Sequence, residues 1–255
     1  MNRAIYPILS GALAQERQMQ VFANNMANVN TAGFKQDGQS FMSVMARVQA
    51  SIPTGHTVGF GQQIGVSPVG PAERVFVAPH TVHTFFDAGR IRITGNPLDT
   101  AIQGSGFFEI KTPQGVRYTR SGMFSLDSQR RLVTNLGYPV MGTKGEIKVP
   151  PGTIQVNAQG AIEVDGRPVA TIKVMDFPVD QMPQKHFEGL FASESAIPAK
   201  NPQVRGGHIE ESNVNSIGEM VKMIQGMRNF ESSQKLIWTL DHMAEISIRD
   251  VGRVL

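Results

Sequence analysis

The stretch IGEMVKMIQGMRNFESSQKLIWTLDHMAEISIRDV, Ile217–Val251, decides how this chain is organised. Its positions Ile217, Met220, Ile224, Met227, Phe230, Ile237, Leu240 and Val251 recur at spacings of three and four, with Gln234, Ala244 and Ser247 filling the remaining steps. That is the period of a helical seam. Ser216 and Glu219 match a capping box, in which the hydroxyl accepts from an early backbone N–H and the carboxylate reaches back. A helix of about ten turns is predicted from there. Its outer face is charged by Lys222, Arg228, Lys235, Glu245 and Arg249, and Gly226 is its weakest interior residue for propensity.

The opposite end of the chain repeats the pattern. Ile5, Ile8, Ala12, Gln15, Met19, Phe22, Met26 and Val29 follow the same spacing, while Glu16, Arg17, Gln18 and Gln20 take the other face. The pattern stops at Asn28–Gly33, where Asn, Thr and Gly favour a turn.

Between the helices, short β-prone runs are separated by turn residues, with no alternation of strand and helix. The expected strands are Gly106–Lys111, Val116–Arg120, Met123–Leu126, Arg131–Thr134, Tyr138–Met141, Thr153–Val156, Ala161–Val164 and Ala170–Phe177. Turn signals such as Thr112-Pro113-Gln114-Gly115 and Asn157-Ala158-Gln159-Gly160 punctuate them. Gln36 to Val69 reads as an extended connector with a short helical possibility at Phe41–Val48, and Ala196–Gly207 as a second connector. The expected fold class is therefore α+β: long N- and C-terminal helices pairing into a coiled-coil-like domain, with a central all-β domain. The expected domains are a discontinuous helical part at 1–35 and 211–255, a connector at 36–70 and a β-rich outer domain at 71–210. Two helices alone bury too little to be stable, so the seams suggest packing against other copies.

Composition narrows the function. With 255 residues of which 40% are hydrophobic, the chain can bury a sizeable core. Lys and Arg number 24 against 21 Asp and Glu, and they do not cluster with aromatics, which argues against nucleic-acid binding. The chain has no cysteine, so disulfides, thiol nucleophiles and thiolate metal sites are excluded. Every hydrophobic run is broken before the roughly 18 apolar residues of a membrane span, so no direct membrane insertion is expected. Arg3, the apolar Ala4–Leu9 and Ala12-Leu13-Ala14 superficially copy a secretory signal, but Pro7 interrupts the run and the seam continues past any cleavage point. Export, if it occurs, is expected without cleavage.

Chemistry has little foothold. Gly104-Ser105-Gly106 lacks the third glycine of a dinucleotide fingerprint and precedes Phe107-Phe108, so a tight turn feeding a strand is expected. His80 and His83 lack further ligands beyond a possible His56. Asp87, Asp99, Glu109 and Asp127 are scattered along turns and strands. No catalytic residue, cofactor or metal is expected. Asn24, Asn25, Asn28 and Asn30 after the first seam, and Asn213 and Asn215 before the last, suit helix capping; the sharper alternative is hydrogen bonding across subunits.

Four ordered blocks carry a resemblance. Ala23-Asn24-Asn25-Met26-Ala27-Asn28-Val29-Asn30-Thr31-Ala32-Gly33-Phe34-Lys35 resembles the N-terminal signature of flagellar rod and hook proteins. Gly95-Asn96-Pro97-Leu98-Asp99-Thr100-Ala101-Ile102 with Gly104–Phe108 is similar to the second signature, and Tyr118-Thr119-Arg120-Ser121-Gly122-Met123-Phe124 to the third. Glu211-Ser212-Asn213-Val214-Asn215 resembles the fourth. The chain thus looks like a member of the FlgF/FlgG family of axial proteins. Ala4-Ile5-Tyr6, the modest length and the single β region favour the FlgF type, of the proximal rod, with the FlgG type of the distal rod as the alternative.

The resemblance implies a non-enzymatic subunit of the flagellar basal-body rod, periplasmic where an outer membrane is present, that polymerises helically and transmits torque from motor to hook. It implies an inner tube of terminal helices, chain ends disordered until assembly, and export through the flagellar type III apparatus. The implied partners are other copies of itself, neighbouring rod proteins and that apparatus. Expected subunit-packing residues are Ile5, Ile8, Met19, Phe22, Met26, Val29, Ile217, Met220, Ile224, Met227, Phe230, Ile237, Leu240 and Val251. Expected motif residues are Asn24, Asn25, Asn28, Gly33, Phe34, Asn96, Pro97, Leu98, Asp99, Gly106, Phe107, Phe108, Ser212, Asn213 and Val214.

Overall fold

The computed structural model describes residues 5–47, 73–186 and 189–252. The architecture is α+β, with an N-terminal helix α1 (Ile5–Ala27), a β-rich centre and a C-terminal helix α2 (Ser216–Gly252). Two compact units are resolved: one comprises Met1–Ala23, Gly38–His83 and Met220–Leu255, the other Asn24–Asp37 and Thr84–Glu219.

The second unit is a stack of antiparallel pieces. Its largest sheet has six strands in the order Gln184–Lys185, Phe191–Ala192, Gly115–Thr119, Phe107–Thr112, Val174–Asp176, Ile197–Pro198. At its centre Phe107–Thr112 and Gly115–Thr119 form a hairpin, from Phe108 opposite Thr119 to Thr112 opposite Gly115. The connection is the two residues Pro113-Gln114, and Gly115 takes the positive φ (111°) that closes so short a loop.

Successive strand residues point to opposite faces, and both faces of Phe107–Thr112 are covered. Phe108 and Ile110 enter the main core with Ile102, Phe124, Leu132, Val140, Ile162 and Val174. Phe107 faces the other way, into an aromatic cluster with Tyr118, Phe177 and Phe191. Its ring meets Phe177 and Phe191 edge-on at 5.3 and 5.2 Å between centroids. Burying Phe108 completely contributes about 1.5–3 kcal/mol.

Two long-range strand pairs close the unit. Thr100–Gln103 pairs with Gln203–Gly206, and Ile91–Ile93 with His208–Glu210, both antiparallel. The chain entering the β region is thereby stitched to the chain leaving it.

The expected strands are largely present, with two instructive departures. Ala170–Phe177 is divided into Arg167–Thr171, which pairs with Ala161–Val164, and Val174–Asp176, which pairs with Phe107–Thr112. The chain passes from one sheet to another at Ile172–Lys173, and β-propensity does not say which partner a strand chooses. Ala196–Gly207 is not a free connector: Ile197–Pro198 pairs with Val174–Asp176, and Gln203–Gly206 completes the pair with Thr100–Gln103. Its prolines sit at a strand edge and in a loop, where a missing N–H breaks no ladder.

In the first unit, the helical possibility at Phe41–Val48 gives way to a strand, Asp37–Arg47, in a two-stranded sheet with Glu73–Thr84. The remainder of the expected connector lies outside the described residues. α1 and α2 approach at Gly226, where an added Cβ would stand 3.2 Å from Met19 Cγ. Beside it Met19, Ala23, Met223, Met227 and Phe230 line an open groove of about 370 Å³.

Candidate functional site

The motif blocks converge on one buried carboxylate in the second unit. Glu210 ends the strand His208–Glu210 and is 1% exposed. Its Oε1 accepts from Lys35 Nζ at 2.7 Å and from the Gly89 backbone N–H at 2.9 Å; its Oε2 accepts from Arg120 Nε. Lys35 donates further to the Asp87 carbonyl at 2.7 Å. The Arg120 guanidinium is cradled by three more carbonyls, those of Ile102, Gly104 and Gly106. The Gly104-Ser105-Gly106 turn therefore has a structural task, which is to present oxygens to Arg120 while feeding the strand at Phe107.

Burial pushes the Glu210 carboxyl upward, but Arg120 and Lys35 together hold it below its usual 4.5. Lys35 shares that single acid with an arginine. Burial leads in drawing its ammonium below the usual lysine value, with Glu210 opposing and Arg120 adding to the fall.

Glycines permit the close approach. Gly33 has φ 69°, and an added Cβ would lie 2.4 Å from the Arg120 carbonyl carbon. Gly122 packs so tightly that its Cβ would lie 1.5 Å from the Thr100 carbonyl oxygen. The Gly33 N–H donates to the Glu210 carbonyl at 2.8 Å, joining the first block to the end of the return strand.

A second polar knot lies next to the first in sequence. Asn25, fully buried, donates to Glu219 Oε2 at 3.0 Å and to the Asp37 carbonyl at 2.8 Å, and its own oxygen accepts from the Asp37 N–H at 3.0 Å. Gln36 donates to Glu219 Oε1 at 2.9 Å. Asn213 accepts from the Gln36 N–H at 2.7 Å and donates to the Phe85 and Asp87 carbonyls. Lys185 donates to the Lys35 carbonyl and to Asp37, and its ammonium sits 3.6 Å from the Phe34 ring centroid. Asn96 and Asp99 make a local turn, with the Asn96 side chain donating to Asp99 at 3.1 Å and accepting from Leu98 N–H at 3.2 Å.

This geometry corrects the expected capping box. The α2 N-terminus is capped by Asn215, whose side-chain oxygen accepts from Gly218 N–H at 3.1 Å. Glu219 bonds Asn25 and Gln36 across the fold. Asn28 does cap locally, donating to the Asn24 carbonyl at 2.9 Å, whereas Asn25 and Asn213 tie distant segments of one chain.

The expected packing residues are distributed differently. On α2, Ile217 is 74% exposed, Met220 52%, Ile224 49% and Met227 51%. Phe230, Ile237 and Leu240 are half-buried, as are Ile8, Met19, Phe22, Met26 and Val29 on and just after α1. The side chains of Ile5 and Val251 lie outside the described residues. Of the motif residues, Gly33, Phe34, Asp99, Gly106, Phe107, Phe108 and Val214 are buried, while Leu98 and Ser212 are half-buried and Asn24, Asn96 and Pro97 face solvent.

Lys35, Arg120, Glu210 and Glu219 carry the polar joint, yet sequence reasoning gave none of the first three a role. The available signal was the isolated charge: Lys35 and Arg120 each stand alone among small and apolar motif residues, a setting that demands an opposite charge.

Among the described residues no cluster of His, Asp and Glu could hold a metal ion. His83 is exposed, and the side chains of His56 and His80 lie outside the described residues. Glu109 pairs with Lys173, and Asp127 with Arg131. No described helix is long and apolar enough to cross a membrane.

A helix-ended, β-centred chain whose buried charges are paired within the chain and whose helix faces leave apolar side chains exposed suits an assembly protein. Three family models match it in chain order: flagella basal body rod protein at residues 5–35, the flagellar hook protein FlgE/F/G D1 domain at 101–164, and the flagellar basal body rod FlgEFG protein C-terminal at 205–249. The flagellar basal-body rod protein FlgG of Buchnera aphidicola subsp. Schizaphis graminum is 32% identical over 92% of this chain and 95% of its own length. In Caulobacter vibrioides the protein named FlgF is 32% identical, covering 100% of this chain and 98% of its own, and FlgG is 30% identical, covering 95% and 97%. The chain belongs to the FlgF/FlgG family of flagellar basal-body rod proteins. It is a structural protein of the rod and not an enzyme.

Proposed function

We propose that this chain polymerises with copies of itself and with neighbouring rod subunits into a helical shaft that carries torque from motor to hook. The observation that carries this reading is the open apolar seam of α2, where Ile217, Met220, Ile224 and Met227 are between 49% and 74% exposed. Water-exposed apolar side chains at seam spacing are stabilised by packing against other helices. α1 and α2 supply coiled-coil-like packing in the assembled shaft, using the seam residues from Ile5 to Val29 and from Ile217 to Val251 within the helical parts 1–35 and 211–255. A head-to-tail contact whose rotation does not close produces an open helix, the geometry of a rod. Passage through the flagellar type III apparatus precedes assembly.

Within the rod the reading taken is the FlgF position, proximal to the motor, on Ala4-Ile5-Tyr6, the modest length and the single β region; relatives named FlgF and FlgG match the chain equally well, so the FlgG position is the alternative. A tag in the exposed Pro113-Gln114 turn, viewed in basal bodies by electron microscopy, tests it. Label on the motor-proximal rod supports the FlgF position, and label along the distal shaft assigns the chain to the FlgG position.

The seam is tested by cross-linking, which the absence of native cysteine makes clean. Cysteine at Ile224 or Met227, carrying a thiol-linked photo-crosslinker that captures the unlike residues of a head-to-tail contact, should give linked subunits in basal bodies, and the same label at the neighbouring polar Gln225 should not. Equal cross-linking at all three, or none at Ile224 and Met227, overturns the reading.

A further inference from the structure

The second unit contains the last turn of α1 and the first turn of α2, and both are held there by buried polar groups of the same subunit. Glu219 is 1% exposed and accepts from Asn25 and Gln36; Asn25 is fully buried and exchanges two hydrogen bonds with the backbone of Asp37. Asn213 receives the Gln36 N–H, and Lys185 closes the segment from the other side through the Lys35 carbonyl and Asp37. No step in this chain of contacts needs a neighbouring subunit. Buried polar groups with their partners in place are costly to separate, since each would be left without its hydrogen bond.

We infer that Glu219 and Asn25 form an intramolecular clasp that orders Asn25–Asp37 and Asn213–Glu219 in the free, unpolymerised subunit. Assembly then has to order only the helical segments beyond the clasp. This narrows the expectation that the family's chain ends are disordered until they polymerise. The clasp also lowers the entropic cost of polymerisation, because the roots of both helices are fixed beforehand.

Hydrogen exchange on the free full-length subunit tests this, since it reports local opening segment by segment. In the wild type, Asn25–Asp37 should exchange about a hundredfold more slowly than an unstructured chain, approaching the strand Phe107–Thr112. Glu219→Ala should raise exchange in Asn25–Asp37 by about tenfold or more while leaving Phe107–Thr119 unchanged. Asn25→Ala, which keeps the carboxylate, should give the same footprint and provides a second variant should Glu219→Ala fail to fold. Unprotected Asn25–Asp37 in the wild type overturns the clasp whatever the variants do. So does a loss of protection spread evenly over the whole β unit, or no change in either variant. None of these readouts depends on the rod, so the clasp can fail while the subunit still assembles, and the reverse.

Discussion

Glu210 and Ile224 invert the usual rule of inside and outside. The carboxylate is 1% exposed and holds two cations and a backbone N–H; the isoleucine, on α2, is 49% exposed. A charge is tolerated in the interior only when it is paired and hydrogen-bonded, and the second unit supplies those partners from within one chain. Among the described residues the apolar side chain on α2 has no such internal remedy, and in the proposed function its stabilisation comes from other helices. The contrast separates a region whose buried charges are paired within the chain from a helix that leaves apolar side chains in water.

The strongest way to break the comparison is to remove the shared carboxylate. Glu210→Ala leaves Lys35 and Arg120 buried without their acid and should cost about 3–5 kcal/mol in urea denaturation of the free subunit. A loss below about 1 kcal/mol, the range of an exposed pair, would show that the joint does not hold the unit together.

Gly33→Ala forces a side chain into a left-handed backbone position 2.4 Å from the Arg120 backbone and should cost about 1–3 kcal/mol. Gly226→Ala on α2 is the contrasting change. Its Cβ meets the flexible side chains of Met19 and Gln15 and no backbone of α1, and the gain in helix propensity of about 1 kcal/mol should leave the subunit unharmed. Equal damage from both, read as the shift in denaturation midpoint, would erase the difference between the two regions.

Acid sharpens the contrast more gently. The Glu210 carboxyl has a lower value folded than its usual 4.5, so its contribution is fully present above that value and is lost as pH falls through the depressed folded value. Denaturation followed from pH 7 downward should show stability falling with acid in the wild type. The fall should be shallower in Glu210→Gln, which begins from a lower stability.

The smallest effect on the free subunit should come from α2. Ile224→Ser changes an exposed position and should stay within about 0.5 kcal/mol. The same change should reduce incorporation into basal bodies, measured as loss of motility and of the subunit from purified rods. Full motility with Ile224→Ser and Met227→Ser combined would break the assembly half of the comparison.

Much of this was legible in the residues. Three-and-four spacing gives α2 and α1 because side chains one turn apart must share a face, whatever surrounds them. Turn residues such as Asn157–Gly160 bracket the strands because few other residues suit those dihedrals. Four ordered blocks named the family. The choice of strand partners was not legible: Ala170–Phe177 has uniform β character yet serves two sheets, and Ala196–Gly207 has loop composition yet fills two strand positions. Pairing is decided by what lies alongside in space.

The same distinction holds for the charges. Sequence determined that Lys35, Arg120, Glu210 and Glu219 exist, that they sit in or beside motif blocks, and that the chain ends in helices with apolar seams. Only the tertiary structure decided that Glu210 is shared by Lys35 and Arg120, and that Glu219 serves Asn25, 194 residues away in the chain, instead of the helix it begins. The reason is physical: local periodicity and turn chemistry are properties of neighbouring residues, whereas burial and pairing are fixed when distant strands close the unit and leave each interior charge with the partners that remain within reach.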